Sequence, residues 1–142
     1  LGADLSEEKI RVAKERTRGK SNLRFVVGDA RDELLWPVKD PEVADSLRKG
    51  YNAALLVDFI EHIRLEDQYK VLDNLSRWVP SGFVLVNMPS PSAPRGGRTP
   101  QPVDEIVDPD ALIQAFAEVG FPKVLLREPT LGGIYYRMVL SR

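Results

Sequence analysis

Residues 51–63 read YNAALLVDFIEHI, and this stretch decides the fold. Its first part, residues 53–57, is a continuous apolar run of strand length, which is typical of a strand buried on both faces of a parallel sheet. An acid, an aromatic residue, a second acid and the only histidine of the chain follow soon after it. Ligands of open α/β sheets bind beyond the carboxyl ends of the strands, so we expect a ligand site to begin at Asp58. The alternative is an ordinary strand end followed by an acidic helix start.

Two strand ends upstream of this stretch also carry an acid. Residues 1–5 are typical of the tail of a strand that ends at Asp4, and Ser6 is a good N-cap for the helix that follows. Residues 23–27 form a second β-type run, with Asp29 two positions beyond it. A helix between two strands predicts a parallel crossover. We therefore expect Asp4 and Asp29 at the same rim of the sheet.

The alternation of strands and helices continues to the end of the chain. The apolar spacing between Leu65 and Val79 predicts an amphipathic helix, with Tyr69 and Trp78 in the core. The remaining segments are a helix from Asp40-Pro41 to Gly50, a strand at 83–86, a helix from Asp108-Pro109 to Gly120, and an antiparallel hairpin of 124–126 with 134–140. The order β-α-β-α-β-α-β-α-β-β indicates a single α/β domain.

Composition excludes several classes of protein. The 142 residues are 43% hydrophobic and 29% charged, as in an ordinary globular domain. The net charge of −1 gives no electrostatic reason to expect a nucleic acid or an anionic membrane as partner. The chain has no cysteine, which excludes disulfides and thiolate chemistry. No apolar run reaches the length of a membrane span, and a cytoplasmic location is the default expectation.

Residues 89–102 differ in kind from the rest, because prolines alternate there with serines and glycines. Such a segment forms neither a helix nor a sheet interior. Long irregular loops in compact domains are often lids or binding loops. Arg95 and Arg98 are candidates to bind an anionic group of a substrate, and solvated loop arginines are the alternative.

The whole pattern resembles a class I S-adenosylmethionine-dependent methyltransferase, whose fold is Rossmann-like. Five short motifs carry the resemblance: Gly2-Ala3-Asp4-Leu5-Ser6, Val27-Gly28-Asp29-Ala30, Val57-Asp58-Phe59-Ile60-Glu61-His62, Trp78-Val79-Pro80-Ser81-Gly82 and Ala117-Glu118-Val119-Gly120-Phe121. The resemblance implies a mostly parallel sheet with a C-terminal antiparallel hairpin, and S-adenosylmethionine as the cofactor.

The resemblance also implies roles for individual residues. Asp4 would accept hydrogen bonds from the ribose hydroxyls of the cofactor, and Leu5 would pack on the adenosine. Asp29 would accept the adenine amino group, while the backbone of Ala30 would contact the edge of the ring. The backbone at the end of the strand predicted at 53–57, at Val57, Asp58 and Phe59, would lie near the methionine part of the cofactor.

One part of the family pattern has no counterpart in this sequence. The family's glycine-rich loop follows its first strand and precedes the strand that ends at the Asp4 position, and nothing here precedes Leu1. Residues 1–142 are therefore expected to form an N-terminally incomplete domain with the first strand and helix missing. Without that central strand its two neighbours would expose unpaired edges. We expect the segment to be lost by truncation or supplied by another chain, through strand exchange or homo-oligomer formation.

His62 is the candidate catalytic base. Methyl transfer from a sulfonium is an in-line displacement, in which alignment and exclusion of water matter most. A hydroxyl acceptor also benefits from a base, and His62 is the only histidine available. The alternative is a histidine that caps or packs locally.

Asp58, Glu61 and His62 are spaced to share one face of a helix that starts early. This resembles the metal-binding cluster of small-RNA 2′-O-methyltransferases, but those families add a later histidine, which this chain lacks. We predict no metal site. The near-neutral charge favours a small molecule, sugar or lipid precursor as methyl acceptor over a nucleic acid.

Two other functions are compatible with the sequence. The chain could be a non-catalytic methyltransferase-like domain that serves as a scaffold or binding module. A nicotinamide-dependent reductase also uses an acid such as Asp4, but it needs a Tyr-x-x-x-Lys pair. No tyrosine of this chain is followed by lysine at the fourth position.

Overall fold

The computed structural model of the protein describes residues 1–32, 41–93 and 105–142. Strands and α-helices alternate within these ranges in the predicted order. The strands are β1 (Gly2–Asp4), β2 (Phe25–Val27), β3 (Ala53–Val57), β4 (Phe83–Pro89), β5 (Lys123–Thr130) and β6 (Tyr135–Ser141). The helices are α1 (Glu7–Arg16), α2 (Pro41–Lys49), α3 (Leu65–Trp78) and α4 (Pro109–Glu118). Short 3₁₀ turns lie at Ile60–His62 and Leu131–Gly133.

The predicted helix starts are confirmed at α1 and α4. The hydroxyl of Ser6 accepts a hydrogen bond of 3.2 Å from the backbone N–H of Lys9. At α4 the carboxylate of Asp108 accepts one of 3.1 Å from the N–H of Asp110, and Pro109 occupies the first turn. These side chains satisfy N–H groups that have no partner within the helix, which is why each helix begins there.

The strands form two sheets, and their order confirms the predicted Rossmann-like architecture. β1 pairs with β2 in parallel. The second sheet has the order β3-β4-β6-β5, in which β3 and β4 are parallel and β6 is antiparallel to both of its neighbours. The predicted antiparallel hairpin at the C-terminal end is therefore confirmed. Within the described ranges, β1 and β3 each have one edge without a strand partner.

One expectation for β3, the strand predicted at residues 53–57, is wrong. Leu56 is buried, but Leu55 is 69% exposed and Val57 is 56% exposed, so β3 is not buried on both faces. β3 is also an edge strand of the four-stranded sheet, with β4 on one side only. Side chains on the other face of β3 meet no packed layer among the described residues.

The core lies between the four-stranded sheet and helices α3 and α4. It is built from the apolar stripes of both helices and the alternating residues of β4 and β6, and Phe116 contacts Phe121 edge to face. Trp78 packs against this core as predicted, whereas Tyr69 is 51% exposed, so its predicted core position is wrong. Its hydroxyl instead donates to Glu118 at 2.8 Å and links the two helices at the surface. No helix in the described ranges is long and apolar enough to cross a membrane.

Gly82 allows β3 and β4 to begin side by side. Its φ of 120° lies in the region that favours glycine, and a Cβ there would come within 2.0 Å of the carbonyl oxygen of Asn52. That carbonyl accepts a hydrogen bond from the N–H of Phe83 at 3.2 Å. The close approach at Gly82 therefore fixes the parallel register in which Ala53 pairs with Phe83.

Candidate functional site

The two acids predicted to share a rim lie at the same end of the two-stranded sheet. Asp4 ends β1 and is in register with Val27, the last residue of β2. The N–H of Gly28 donates to the carbonyl oxygen of Asp4 at 3.1 Å, which continues the pairing by one step. Asp29 is the next residue along. Parallel pairing of two short strands therefore places both acids at the carboxyl edge, where open α/β sheets bind ligands.

The carboxylate of Asp4 is held at the start of α1. One oxygen accepts a hydrogen bond of 2.8 Å from the backbone N–H of Ser6, and the other lies 3.3 Å from the ammonium of Lys9. About a third of the Asp4 side chain (35%) is exposed, so its second oxygen is accessible to a ligand. The contact with exposed Lys9 contributes little, because surface ion pairs in water are weak. Leu5 follows as an exposed apolar residue.

Asp29 is engaged by Arg31 in several contacts. One carboxylate oxygen accepts from the backbone N–H and from Nε of Arg31, both at 2.9 Å, and the other accepts from Nη2 at 2.5 Å. Hydrogen bonding by the guanidinium lowers the pKa of Asp29, because it favours the charged carboxylate. The remaining amino group of Arg31 reaches Asp67 of α3 at 3.2 Å.

These residues border an open cleft of about 410 Å³. Its lining consists of Asp29, Arg31, Asp32, Asp67 and Lys70. Lys70 contacts Asp67 at 2.7 Å, and this hydrogen bond, together with a smaller effect of Arg31, lowers the pKa of Asp67. The cleft is therefore polar, with three carboxylates and two cations.

Ala30 lies where the β2 loop meets α3. Its carbonyl oxygen accepts a hydrogen bond of 2.8 Å from the side-chain amide of Asn74, which is buried on α3. Ala30 also packs against the main core. Because a buried amide is costly unless it is hydrogen-bonded, this contact fixes the position of the loop that carries Asp29.

The turn after β3 has an unusual backbone conformation. Asp58 has a φ of 47°, in the left-handed region that Asp and Asn tolerate better than most other residues. Its N–H donates to the carbonyl of Asn87 at 2.9 Å, and its carboxylate accepts from the hydroxyl of Tyr135 at 3.5 Å. Val57 before it is exposed, and Phe59 after it packs against the core. The chain therefore turns sharply at Asp58 and keeps its carboxylate at the rim.

Glu61 and His62 occupy the 3₁₀ turn that follows. Glu61 is buried, with only 2% of the residue exposed, while about a third of the His62 side chain (36%) is exposed. Nε2 of His62 lies 4.0 Å from a carboxylate oxygen of Glu61. An imidazole at this position can exchange protons with solvent or with a ligand.

The helical face predicted for Asp58, Glu61 and His62 does not exist. The 3₁₀ turn covers only Ile60–His62, and α3 begins later, at Leu65. The left-handed conformation of Asp58 interrupts any helix that would join it to His62. In the part of the chain that the structure describes, no three His, Asp or Glu side chains are grouped as metal ligands.

The predicted and the observed site residues differ in two respects. Arg95 and Arg98, predicted to bind a substrate, lie outside the described residues. Arg31, Asn74 and Tyr135 were not predicted. The sequence offered a local signal only for Arg31, since an Asp side chain often binds the N–H two residues on. Asn74 and Tyr135 reach the site from 44 and 77 positions away, a distance that local patterns do not reveal.

Comparison with known proteins gives a likeness of fold. No family model and no curated protein matches the sequence. Solved structures do match. A SAM-dependent methyltransferase from Archaeoglobus fulgidus aligns over 99% of this chain and 75% of its own, with 16% identity and a TM-score of 0.63. Magnesium protoporphyrin IX methyltransferase from Synechocystis PCC 6803, with bound SAH, aligns over 98% and 61%, with 15% identity and a TM-score of 0.65.

A third structure shows that this fold is not confined to methyl transfer. The cyclase SpnF aligns over 99% of this chain and 64% of its own, with 13% identity and a TM-score of 0.72. The chain has the class I methyltransferase fold, which confirms the predicted resemblance at the level of architecture. It spans between 61% and 75% of the lengths of these three proteins.

Proposed function

We propose that this chain forms the adenosine-binding part of an S-adenosylmethionine-dependent methyltransferase. The observation that carries the proposal is the position of Asp4 and Asp29 beyond the carboxyl ends of two paired parallel strands. The fold supports it, because two of the structural neighbours are methyltransferases and one of them holds SAH. The same fold in a cyclase means that cofactor binding has to be tested before methyl transfer.

In this proposal Asp4 binds the ribose. A carboxylate can accept hydrogen bonds from two neighbouring hydroxyls, and such charge-assisted bonds are stronger than neutral ones. The backbone N–H of Ser6 already orients one oxygen of Asp4. The Lys9 ammonium is on an exposed, flexible side chain and can move aside for a ribose hydroxyl. Leu5 would then lie against the adenosine.

Asp29 and Ala30 bind the adenine. The exocyclic amino group of adenine is a hydrogen-bond donor, and the Asp29 carboxylate is an acceptor whose pKa is lowered by hydrogen bonds from Arg31. Asn74 holds the backbone of Ala30 in place, so the loop can contact the edge of the ring without rearranging.

The turn at Val57, Asp58 and Phe59 accommodates the methionine part of the cofactor. The amino group of methionine is cationic, and the Asp58 carboxylate lies at the rim beside it in this arrangement. The left-handed backbone of Asp58 is a strained conformation of the kind that functional sites retain.

His62 acts as the base in methyl transfer to a hydroxyl. When bound, S-adenosylmethionine would supply a methyl group that can pass from sulfur to the acceptor oxygen, leaving SAH. The proton of the hydroxyl passes to the His62 imidazole. The buried Glu61 carboxylate, 4.0 Å from Nε2, stabilises the imidazolium that forms.

The acceptor we propose is a small molecule, sugar or lipid precursor, with an anionic group bound by Arg95 and Arg98. The near-neutral net charge supports this class over RNA, whose backbone selects basic proteins. Tyr135, 3.5 Å from Asp58 at the end of the four-stranded sheet, lies at the rim where the acceptor would enter.

Calorimetric titration of the full-length protein with SAH tests the proposal, with NADH as the competing ligand. We expect saturable binding of SAH at micromolar concentration or below, and no binding of NADH. Binding of NADH alone would support a reductase, and binding of neither ligand would support a scaffold domain. If SAH binds but labelled S-adenosylmethionine transfers no methyl group to sugars or other hydroxyl compounds, the domain is a binding module or catalyses a different reaction.

A further inference from the structure

Arg31 links the loop after β2 to helix α3. Its Nε and Nη2 atoms contact the Asp29 carboxylate, while Nη1 contacts Asp67, which in turn holds Lys70. Asp29 and Asp67 are mostly buried, with 19% and 18% of their side chains exposed. Two carboxylates thus share one guanidinium at the border of the cleft.

The charges in the cleft indicate what Arg31 does for the Asp29 carboxylate. Asp29, Asp32 and Asp67 line it together with Lys70, which pairs with Asp67 rather than with Asp29. Without Arg31 the Asp29 carboxylate would face other acids, and like charges disfavour ionisation. An anionic ligand group would meet the same acids, so the cleft favours a hydrogen-bond donor over an anion.

Arg31 engages both oxygens of the Asp29 carboxylate. A carboxylate has about four acceptor positions. Among the described residues, Arg31 occupies them with its backbone N–H, with Nη2 and with an Nε shared between the two oxygens at 2.9 and 3.0 Å. Each oxygen therefore accepts two N–H groups of Arg31, which holds the carboxylate in one orientation, and a ligand donor would bind in place of the shared Nε contact on one oxygen.

We propose that Arg31 is a positioning residue that makes Asp29 selective for a 6-amino purine over a 6-oxo purine. It holds the carboxylate in one orientation, so that an oxygen sharing the Nε contact can accept the exocyclic amino group. A 6-oxo purine presents a carbonyl oxygen there, which the carboxylate repels. The inference rests on the proposed adenosine site and adds the residue that determines its base specificity.

The test compares binding of SAH with binding of its 6-oxo analogue, S-inosylhomocysteine, by calorimetry on the full-length protein. In the native protein SAH is expected to bind roughly tenfold more tightly or better, the value of one hydrogen bond to a charged group. In Arg31→Gln this preference is expected to fall to about twofold. Arg31→Lys, which keeps the charge but not the planar fork, is expected to give an intermediate preference.

A matched control separates this role from a general loss of stability. Arg24 also pairs with a carboxylate, at a more exposed position: its Nη2 lies 2.9 Å from Glu42, and neither residue lines the cleft. Arg24→Gln is expected to leave the preference for SAH over S-inosylhomocysteine unchanged.

The pH dependence of SAH binding is a second readout. Asp29 must be ionised to accept the amino group, so SAH binding is expected to be lost at a higher pH in Arg31→Gln than in the native protein.

The outcomes distinguish the two proposals. If the native protein binds neither ligand, the adenosine site itself is wrong. Suppose that the native protein prefers SAH, and that Arg31→Gln keeps this preference and loses SAH binding at the same low pH as the native protein. The adenosine site then stands, and the role of Arg31 is contradicted.

Discussion

The side-chain amide of Asn74 donates a hydrogen bond of 2.8 Å to the carbonyl oxygen of Ala30. Asn74 is buried on α3, and Ala30 follows Asp29 in the loop after β2. This contact joins the smaller sheet to the main core at the position where adenine is proposed to bind.

Removing this hydrogen bond should destabilise the protein. Asn74→Leu keeps the approximate volume but leaves the Ala30 carbonyl without its donor, at a cost of about 1–3 kcal/mol in the free energy of unfolding. Urea denaturation measures this value. Gln114→Ala, which removes an exposed amide that donates to Glu118 at 3.3 Å, is the control and should change stability by less than about 0.5 kcal/mol. Equal effects of both substitutions would contradict the anchoring role.

Gly82 should tolerate no side chain. In Gly82→Ala the new Cβ would lie 2.0 Å from the carbonyl oxygen of Asn52, a backbone atom that moves only if β3 and β4 separate. We expect a loss of more than about 2 kcal/mol in the free energy of unfolding, from the clash and the positive φ together.

Gly19→Ala is the matched control for the backbone strain. Gly19 also has a positive φ, of 86°, but a Cβ there meets nothing within 4 Å. It should lose only about 1 kcal/mol. Similar losses at the two glycines would show that strain alone, and not the close approach of the strands, determines the effect.

The stabilising effect of Arg31 should depend on pH in a defined direction. The pKa of Asp29 is lowered from its ordinary value of 3.8, chiefly by hydrogen bonds from Arg31. A lowered pKa in the folded state contributes stability above pH 3.8, and this contribution is lost as the pH falls through the folded value. The native protein should therefore exceed Arg31→Gln in unfolding free energy at pH 7, and the difference should shrink below pH 3.8. A difference that is constant with pH would contradict this account.

His62 should affect turnover without affecting cofactor binding. His62→Gln removes the proposed base and should lower the rate of methyl transfer by about 10²–10⁴-fold, the usual contribution of general base catalysis. The affinity for SAH should stay unchanged, because the imidazole does not contact the adenosine in this account. Arg64→Gln, a substitution at a nearby exposed residue, is the control. Unchanged turnover in His62→Gln would remove this residue from the mechanism.

The sequence predicted those features that depend on local patterns. Ser6 and Asp108 were recognisable as helix caps, and alternating strands and helices predicted the parallel and antiparallel pairings. The exposure of Leu55 and the surface position of Tyr69 were not predictable in this way. Both depend on what packs against an element, and an apolar run looks alike whether one face of its strand is covered or both.

The candidate site was likewise predictable only where it depends on local patterns. Asp4 and Asp29 were found from their positions after strands, a rule that needs only sequence order. The left-handed turn at Asp58 excluded the predicted helical face, because a single residue with positive φ redirects the chain. The contact between Arg31 and Asp67 spans 36 positions and follows from tertiary packing alone.

The affinity of SAH for Asp4→Asn and Asp29→Asn, measured by calorimetry beside Asp45→Asn, tests the central claim most directly. Asp45 is an exposed acid of α2 that pairs with Arg48 and Lys49, so its substitution removes one negative charge away from the site. We predict that each of the first two substitutions weakens SAH binding by roughly tenfold or more, the loss of a charge-assisted hydrogen bond, while Asp45→Asn leaves it unchanged. Native affinity in both Asp4→Asn and Asp29→Asn would contradict the proposal that these two carboxylates hold the adenosine.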